Sequence, residues 1–189
     1  MKNWIKVATA AAVGVALSAS AASAAWEKVV IATEGAYPPF NYVDKDGKLQ
    51  GFDVDFAVKL CETAGIECEI VAQDWDGIIP GLLAKKYDAI IAQMSITEER
   101  KRSIDFTNYY STTPAVFVGK EGMSVEAWKD GAVVEDALDG LVIGVQRSTT
   151  HSAFLEDNFP NAEIRMYDTQ DNALLDLTAG RIDATLADS

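Results

Sequence analysis

Alternating strand and helix segments, strand cores without polar alternation, and an ungapped internal repeat predict an α/β fold of two similar lobes. The first lobe opens with Lys28–Thr33 (KVVIAT), a strand. Residues 53–63 place Val54, Phe56, Ala57, Leu60 and Cys61 on one helical face, and Gly65 ends that helix. Residues 68–72 form a second strand, 76–84 a short helix and 87–92 a third strand. Apolar strands joined by helices belong to a mainly parallel sheet covered on both faces. The pattern then restarts with a strand at 141–145, a helix at 149–158 and a strand at Glu163–Tyr167. A helix at 171–179 closed by Gly180 and a strand at 182–187 complete it.

The repeat strengthens the two-lobe reading. Residues 76–93 (DGIIPGLLAKKYDAIIAQ) lie over 171–188 (DNALLDLTAGRIDATLAD) without a gap. The identical pairs are Asp76/Asp171, Leu82/Leu177, Ala84/Ala179, Asp88/Asp183, Ala89/Ala184 and Ala92/Ala187. The alternative is chance likeness between helix–strand units, which share a grammar. Residues 111–121 carry the chain between the halves.

Composition narrows the function. The 189 residues are 49% hydrophobic and 24% charged, an ordinary globular balance. Sixteen Lys and Arg against 29 Asp and Glu give a net charge of −13, which repels phosphate backbones and argues against a nucleic-acid partner. One His and two Cys offer little material for a metal site, and no metal or other cofactor is expected.

Residues 1–25 read as an address. Lys2 and Lys6 form a basic head, residues 7–17 are almost purely Ala, Val, Leu and Gly, and Ala22-Ser23-Ala24 supplies a cleavage site. The apolar run is too short to span a bilayer, so the expectation is a cleaved secretory signal and a periplasmic protein. Export bears on Cys61 and Cys68 (CETAGIEC). In an oxidising compartment a close pair reads as a disulfide stapling the turn, two buried free thiols being the alternative.

Ligands of open α/β sheets bind beyond the carboxyl ends of the strands. Those ends are residues 34–40, 93–95, 146–151 and Asp188; if the lobes face each other, they line one cleft. Arg100, just beyond the 93–95 tip, can grip a carboxylate with two parallel bonds, or else belongs to a solvated charge run (TEERKR). Asp188 suits a ligand ammonium, or is a loop carboxylate. Tyr37 and Trp75 can sandwich an extended side chain, or serve as core aromatics. Glu34, the only acid of its loop, is the candidate for a cationic ligand tail, with surface solvation as the alternative.

Four segments carry a family resemblance: IATEGAYPPFNYVDKDGKLQGFDVDFAVKLC, WDGIIPGLLAKKYDAIIAQMSITEERKRSIDFT, GVQRSTTH and LTAGRIDATLAD. They resemble the periplasmic polar-amino-acid-binding proteins of ABC importers, nearest to lysine/arginine/ornithine and histidine binders, with an echo of opine binders. The resemblance implies a two-lobed periplasmic binding protein of type II, with lobe 1 at 26–111, a hinge at 112–120 and lobe 2 at 121–189. Related proteins continue beyond the point matching Ser189, so the second lobe and the return to the first are expected to be incomplete.

Residue by residue, Arg100 matches the arginine that holds an α-carboxylate, with Ser95 and Thr150 assisting. Asp188 matches the acid for the α-ammonium, Tyr37 and Trp75 the aromatic walls, and Glu34 the acid that meets a basic side chain. Cys61 and Cys68 match a disulfide of the basic-amino-acid binders. There are two departures. Ala92-Gln93 stands where lysine/arginine/ornithine binders commonly offer two serines, so hydroxyls that help the ligand are absent; Gln93 is itself counted among the candidate ligand contacts. Ser148 stands where a glycine usually precedes the Thr pair, which questions the loop's conformation.

The reading is a monomeric receptor, not an enzyme, that captures a free cationic L-amino acid and delivers it to an inner-membrane ABC permease. An opine or glutamine binder, or a dehydratase on the same scaffold using His151 or Glu34, is the alternative.

Overall fold

The structure, a computed structural model, describes residues 28–189; the expected leader at 1–25 lies outside them. The chain opens with β1 (Lys28–Thr33), β2 (Ala36–Tyr37), β3 (Asn41–Val43) and β4 (Leu49–Gln50). Next come α1 (Phe52–Ala64), β5 (Glu67–Ala72), α2 (Trp75–Leu83), β6 (Ala89–Ile90) and α3 (Glu98–Lys101). Then follow β7 (Ala115–Gly119), β8 (Trp128–Lys129), β9 (Ala132–Val133) and β10 (Val142–Gln146). The last elements are α4 (Thr150–Asn158), β11 (Glu163–Tyr167), α5 (Gln170–Thr178) and β12 (Ala184–Asp188).

Two main sheets result, one per lobe, beside two small antiparallel ones, β2-β3-β4 and β8-β9. The first has the order β5-β1-β6, all parallel; the second has β11-β10-β12-β7, parallel except for β7. Consecutive β1 residues pack on opposite faces. Ile31 meets Ala57 and Cys61 of α1, while Ala32 meets Ile78 of α2 and Tyr87. The second sheet repeats this, with Ile143 and Val145 against Leu155 and Phe159 on one face, and Val142 near Ala173 and Leu177 on the other. Burial on both faces explains why these strands lack polar alternation.

Several expected bounds shift. The strand expected at 87–92 pairs only over Ala89–Ile90, because Tyr87 turns its ring under α2 and donates its hydroxyl to the Ile78 carbonyl, and Gln93 leaves the sheet at φ 50°. The 111–121 connector is more than a link: β7 within it pairs antiparallel with β12, from Gly119 opposite Ala184 to Ala115 opposite Asp188. Leu60 faces solvent, since α1 buries Asp53, Ala57 and Cys61 instead. The small antiparallel sheet β2-β3-β4, folded from AYPPFNYVDKDGKLQ, was not foreseen; its residues form pairs too short to read as strands.

The repeat is geometric as well as textual. Asp88 N–H donates to Val30 O and its carboxylate accepts the Val30 N–H; Asp183 does the same to Val142, all four bonds at 2.8–2.9 Å. The helix ends match too: Lys85 (φ 58°) donates to Leu82 O as Gly180 (φ 74°) donates to Leu177 O.

Candidate functional site

The carboxyl ends of the parallel strands converge on one cleft between the lobes. β1 delivers Glu34, with Tyr37 in β2. The turn after β6 carries Gln93 and Ser95, and α3 brings Arg100. Trp75 opens α2, Thr150 opens α4, and Asp188 ends β12. All eight expected site residues line this cleft. So do Gln146, Thr149, His151 and Gln170. Gln146 and Gln170 were not singled out from the sequence. The repeat held a signal for Gln170, since the offset that lays Asp76 on Asp171 lays Trp75 on Gln170; Gln146 was reached only as the first residue of the 146–151 strand end. The sheet registers (Ile31 opposite Ala89, Ile143 opposite Ala184) make Glu34 the counterpart of Gln146.

Arg100 is poised for an anion. Thr97 caps α3 by accepting the Arg100 N–H at 3.1 Å. Its guanidinium donates to Ser95 O (2.8 Å) and to Ser148 O (3.2 Å) of the other lobe, and lies 5.4 Å from the Trp75 ring centre. Both bonds go to neutral carbonyls, and burial lowers its pKa from the ordinary value. The N-terminus of α4 lies beside it, capped at Thr149, with Thr150 and His151 lining the cleft. Helix N-termini favour anions through their free N–H groups and dipole.

Glu34 lies at a second charged position in the cleft. It is 7% exposed and accepts one bond, from Gln146 Nε2 at 2.6 Å across the lobes. Burial pushes its carboxyl up to about 7, Asp171, Asp74 and Asp76 adding to the rise and the Gln146 bond working against it. Among the described residues it has no salt-bridge partner.

Asp188 is held by its neighbours. Tyr37 donates its hydroxyl to Oδ2 (3.1 Å) and accepts the Asp188 N–H (2.9 Å), while His151 Nε2 lies 3.5 Å from Oδ1. Burial works to raise this carboxyl, but the bonds from His151, Tyr37 and Thr113 outweigh it and hold it below the usual range. Burial drives the Tyr37 hydroxyl in the other direction, far up.

Two residues behave differently from a simple site inventory. Gln93 borders the cleft, but both ends of its amide are engaged elsewhere: Nε2 donates to Asp53 at 2.8 Å and Oε1 accepts from Ser111 at 3.0 Å. Ser148 keeps the conformation a glycine would favour, at φ 59°, despite its Cβ. That costs about 1 kcal/mol, and it turns the Ser148 carbonyl to accept from both Trp75 Nε1 (3.1 Å) and Arg100. Ser95 and Thr150 meet hydroxyl to hydroxyl at 3.4 Å. Cys61 and Cys68 form a disulfide, away from the cleft. Among the described residues no group of His, Cys, Asp and Glu is arranged to hold a metal ion.

Two lobes of parallel sheet with a charged cleft between them define a solute-binding protein. The chain belongs to the bacterial extracellular solute-binding proteins, family 3, whose pattern matches residues 29–188. It is 46% identical over 168 residues to an L-arginine-binding protein of Pseudomonas aeruginosa, covering 88% of this chain and 62% of that one. It is 42% identical to an octopine-binding periplasmic protein of Rhizobium meliloti, with 89% and 64% coverage. An ancestral arginine-binding protein bound to glutamine superposes with a TM-score of 0.76 at 34% identity, covering 86% of this chain and 69% of that structure. The chain thus spans less than two thirds of the length of those two curated relatives.

Proposed function

We propose that the protein is a periplasmic receptor that closes its two lobes around a free cationic L-amino acid and presents it to an ABC permease, with no catalytic step. One observation carries this reading: a single cleft holds an Arg bonded only to carbonyls and a buried Glu bonded only to an amide. Among the described residues each charge lacks an opposite partner, and a ligand with a carboxylate at one end and a cation at the other supplies both. Arg100 and the start of α4 take the α-carboxylate, Asp188 the α-ammonium, Tyr37 and Trp75 flank the stem, and Glu34 meets the cationic tail. Because Glu34 and Asp188 sit on different lobes, contacts to both at once favour the closed state. The relatives support this assignment, being named for arginine and octopine.

The test is a thermal melt of the full chain against L-arginine, L-lysine, L-ornithine, L-histidine, L-glutamine and octopine. A ligand at about a hundredfold its Kd adds about 2.7 kcal/mol to the fold. Stabilisation by the basic members, abolished in Arg100→Ala with the ligand-free melt retained, is the expected result. Stabilisation by octopine alone moves the assignment to an opine receptor. Recovery of a chemically altered amino acid after incubation refutes the receptor and supports the dehydratase.

A further inference from the structure

Outside the ligand-facing groups, the most connected buried polar side chain of the first lobe is Asp53, in the first turn of α1 and 1% exposed. Three elements donate to it. Asn41 Nδ2 of β3 bonds Oδ2 at 2.8 Å; Gln93 Nε2, from the turn after β6, bonds Oδ1 at 2.8 Å; and the Tyr110 hydroxyl bonds Oδ1 at 3.1 Å. The chain of bonds continues in both directions. Asn41 Oδ1 accepts the N–H of Gly35, the residue next to Glu34, at 2.8 Å. On the other side the Gln93 N–H donates to the Tyr110 hydroxyl at 2.9 Å, and Ser111 donates to Gln93 Oε1. Tyr110 and Ser111 begin the stretch that leads into β7 and the second lobe.

We propose that Asp53 is a positioning residue for the cleft, fixing the Glu34–Gly35 backbone through Asn41 and tying it through Gln93 and Tyr110 to the segment that crosses between the lobes. Gln93 is then a strut of the cleft wall and makes no ligand contact through its side chain. The left-handed backbone of Gln93 (φ 50°) fits this role, since it lets the residue's N–H and its amide both face the Tyr110–Asp53 joint. The inference rests on the reading of the cleft given above. It differs from a bland structural role because a shift of the joint moves Glu34 and the crossing segment together.

The joint has a donor direction, and reversing it is the experiment. Gln93→Glu sets a carboxylate against that of Asp53. Adding Asp53→Asn restores an amide–carboxylate bond to residue 93 running the other way, with Ser111 still able to donate to residue 93, while the Tyr110 hydroxyl loses the acceptor that it shared with Gln93. L-Arginine affinity is measured by calorimetry at pH 8 and pH 5.5 on wild type, Q93E and Q93E/D53N, each with its ligand-free melt. Relative to wild type at the same pH, Q93E is expected to lose at least about tenfold in affinity at pH 8. It should lose less at pH 5.5, where one carboxylate of the pair takes up a proton. The double variant should return to within about threefold at both pH values. Tyr110→Phe, which removes one donor to Asp53 without adding charge, is expected to weaken L-arginine about threefold, and carries the test alone if Q93E fails to fold. Wild-type-like binding by folded Q93E at pH 8, or no recovery in the double variant, overturns the positioning role. So does undiminished binding by Tyr110→Phe. A wild type that binds no L-arginine refutes the cleft reading and this role with it, whereas a binding wild type without the swap pattern refutes only the latter.

Discussion

Glu34 is a carboxyl group placed where folding penalises its charge, and that penalty has a measurable sign. Its pKa stands at about 7 in the folded chain against 4.5 as the ordinary value, burial being the main cause. Between those values the folded state holds a proton that the unfolded chain has released, so this residue's contribution to stability falls as pH rises from 4.5 to 7. Above pH 7 the full penalty applies, on the order of 3 kcal/mol. Glu34→Gln keeps an acceptor for Gln146 Nε2 but carries no charge. Ligand-free Glu34→Gln is therefore expected to melt above wild type at pH 7.5 and to converge with it near pH 4.5. Other carboxyls shift with both signs, Asp53 up and Asp188 down, so the difference between the two proteins is the quantity to follow. A difference that stays constant over this range refutes an uncompensated buried charge at Glu34. The same variant should bind L-arginine far more weakly than wild type and L-glutamine nearly as well, because only the cationic tail needs the carboxylate.

At the scale of elements, the helix–strand unit used twice makes its own prediction. In each copy an Asp just ahead of the strand both donates to and accepts from the neighbouring central strand, Asp88 at Val30 and Asp183 at Val142. Removing the carboxylate strips one bond from a strand N–H, worth about 1 kcal/mol. Asp88 is exposed and water can replace it; Asp183 is half-buried. Asp88→Ala should therefore lower stability by less than Asp183→Ala in denaturant melts, and equal, negligible losses would show the motif to be ornamental. The repeat also marks how far the sequence could be read. Apolar runs such as KVVIAT and LVIGV set the strands because sheets buried on both faces leave no polar position to confuse them. The small sheet β2-β3-β4 escaped because pairs of two or three residues have no periodicity to detect, only turns. The charged members of the cleft were legible from their places after strand ends. The roles of Gln146, although it opens the 146–151 strand end, and of Gln170 were not, since a neutral amide announces no partner until the lobes are brought together. The orientation of the Gln93 amide was hidden for a related reason: it is decided by Asp53 and Ser111, distant in sequence.

Across the whole molecule, parallel strands give each lobe two unlike ends. Carboxyl ends meet at the cleft, where Glu34 faces Gln146, Tyr37 faces Asp188, and Trp75 and Arg100 reach Ser148. Amino ends lie away from it, and the disulfide is there, joining Cys61 in the last turn of α1 to Cys68 at the start of β5. Stability and recognition are therefore separable by position. Closing so short a loop, seven residues in separation, restricts the unfolded chain by about 2 kcal/mol in the chain-entropy picture. Cys61 also packs in the core beside Ile31 and Ala57, so its loss adds a packing cost. The variant Cys61→Ala/Cys68→Ala should melt clearly below wild type, while wild type in reductant shows the bond's share alone. Below the lowered transition, L-arginine affinity should stay within about twofold, because no group of the cleft leans on either cysteine. Affinity falling in step with stability would mean that the amino end of the first sheet steers its carboxyl end, and the division of labour between the two ends would have to be abandoned.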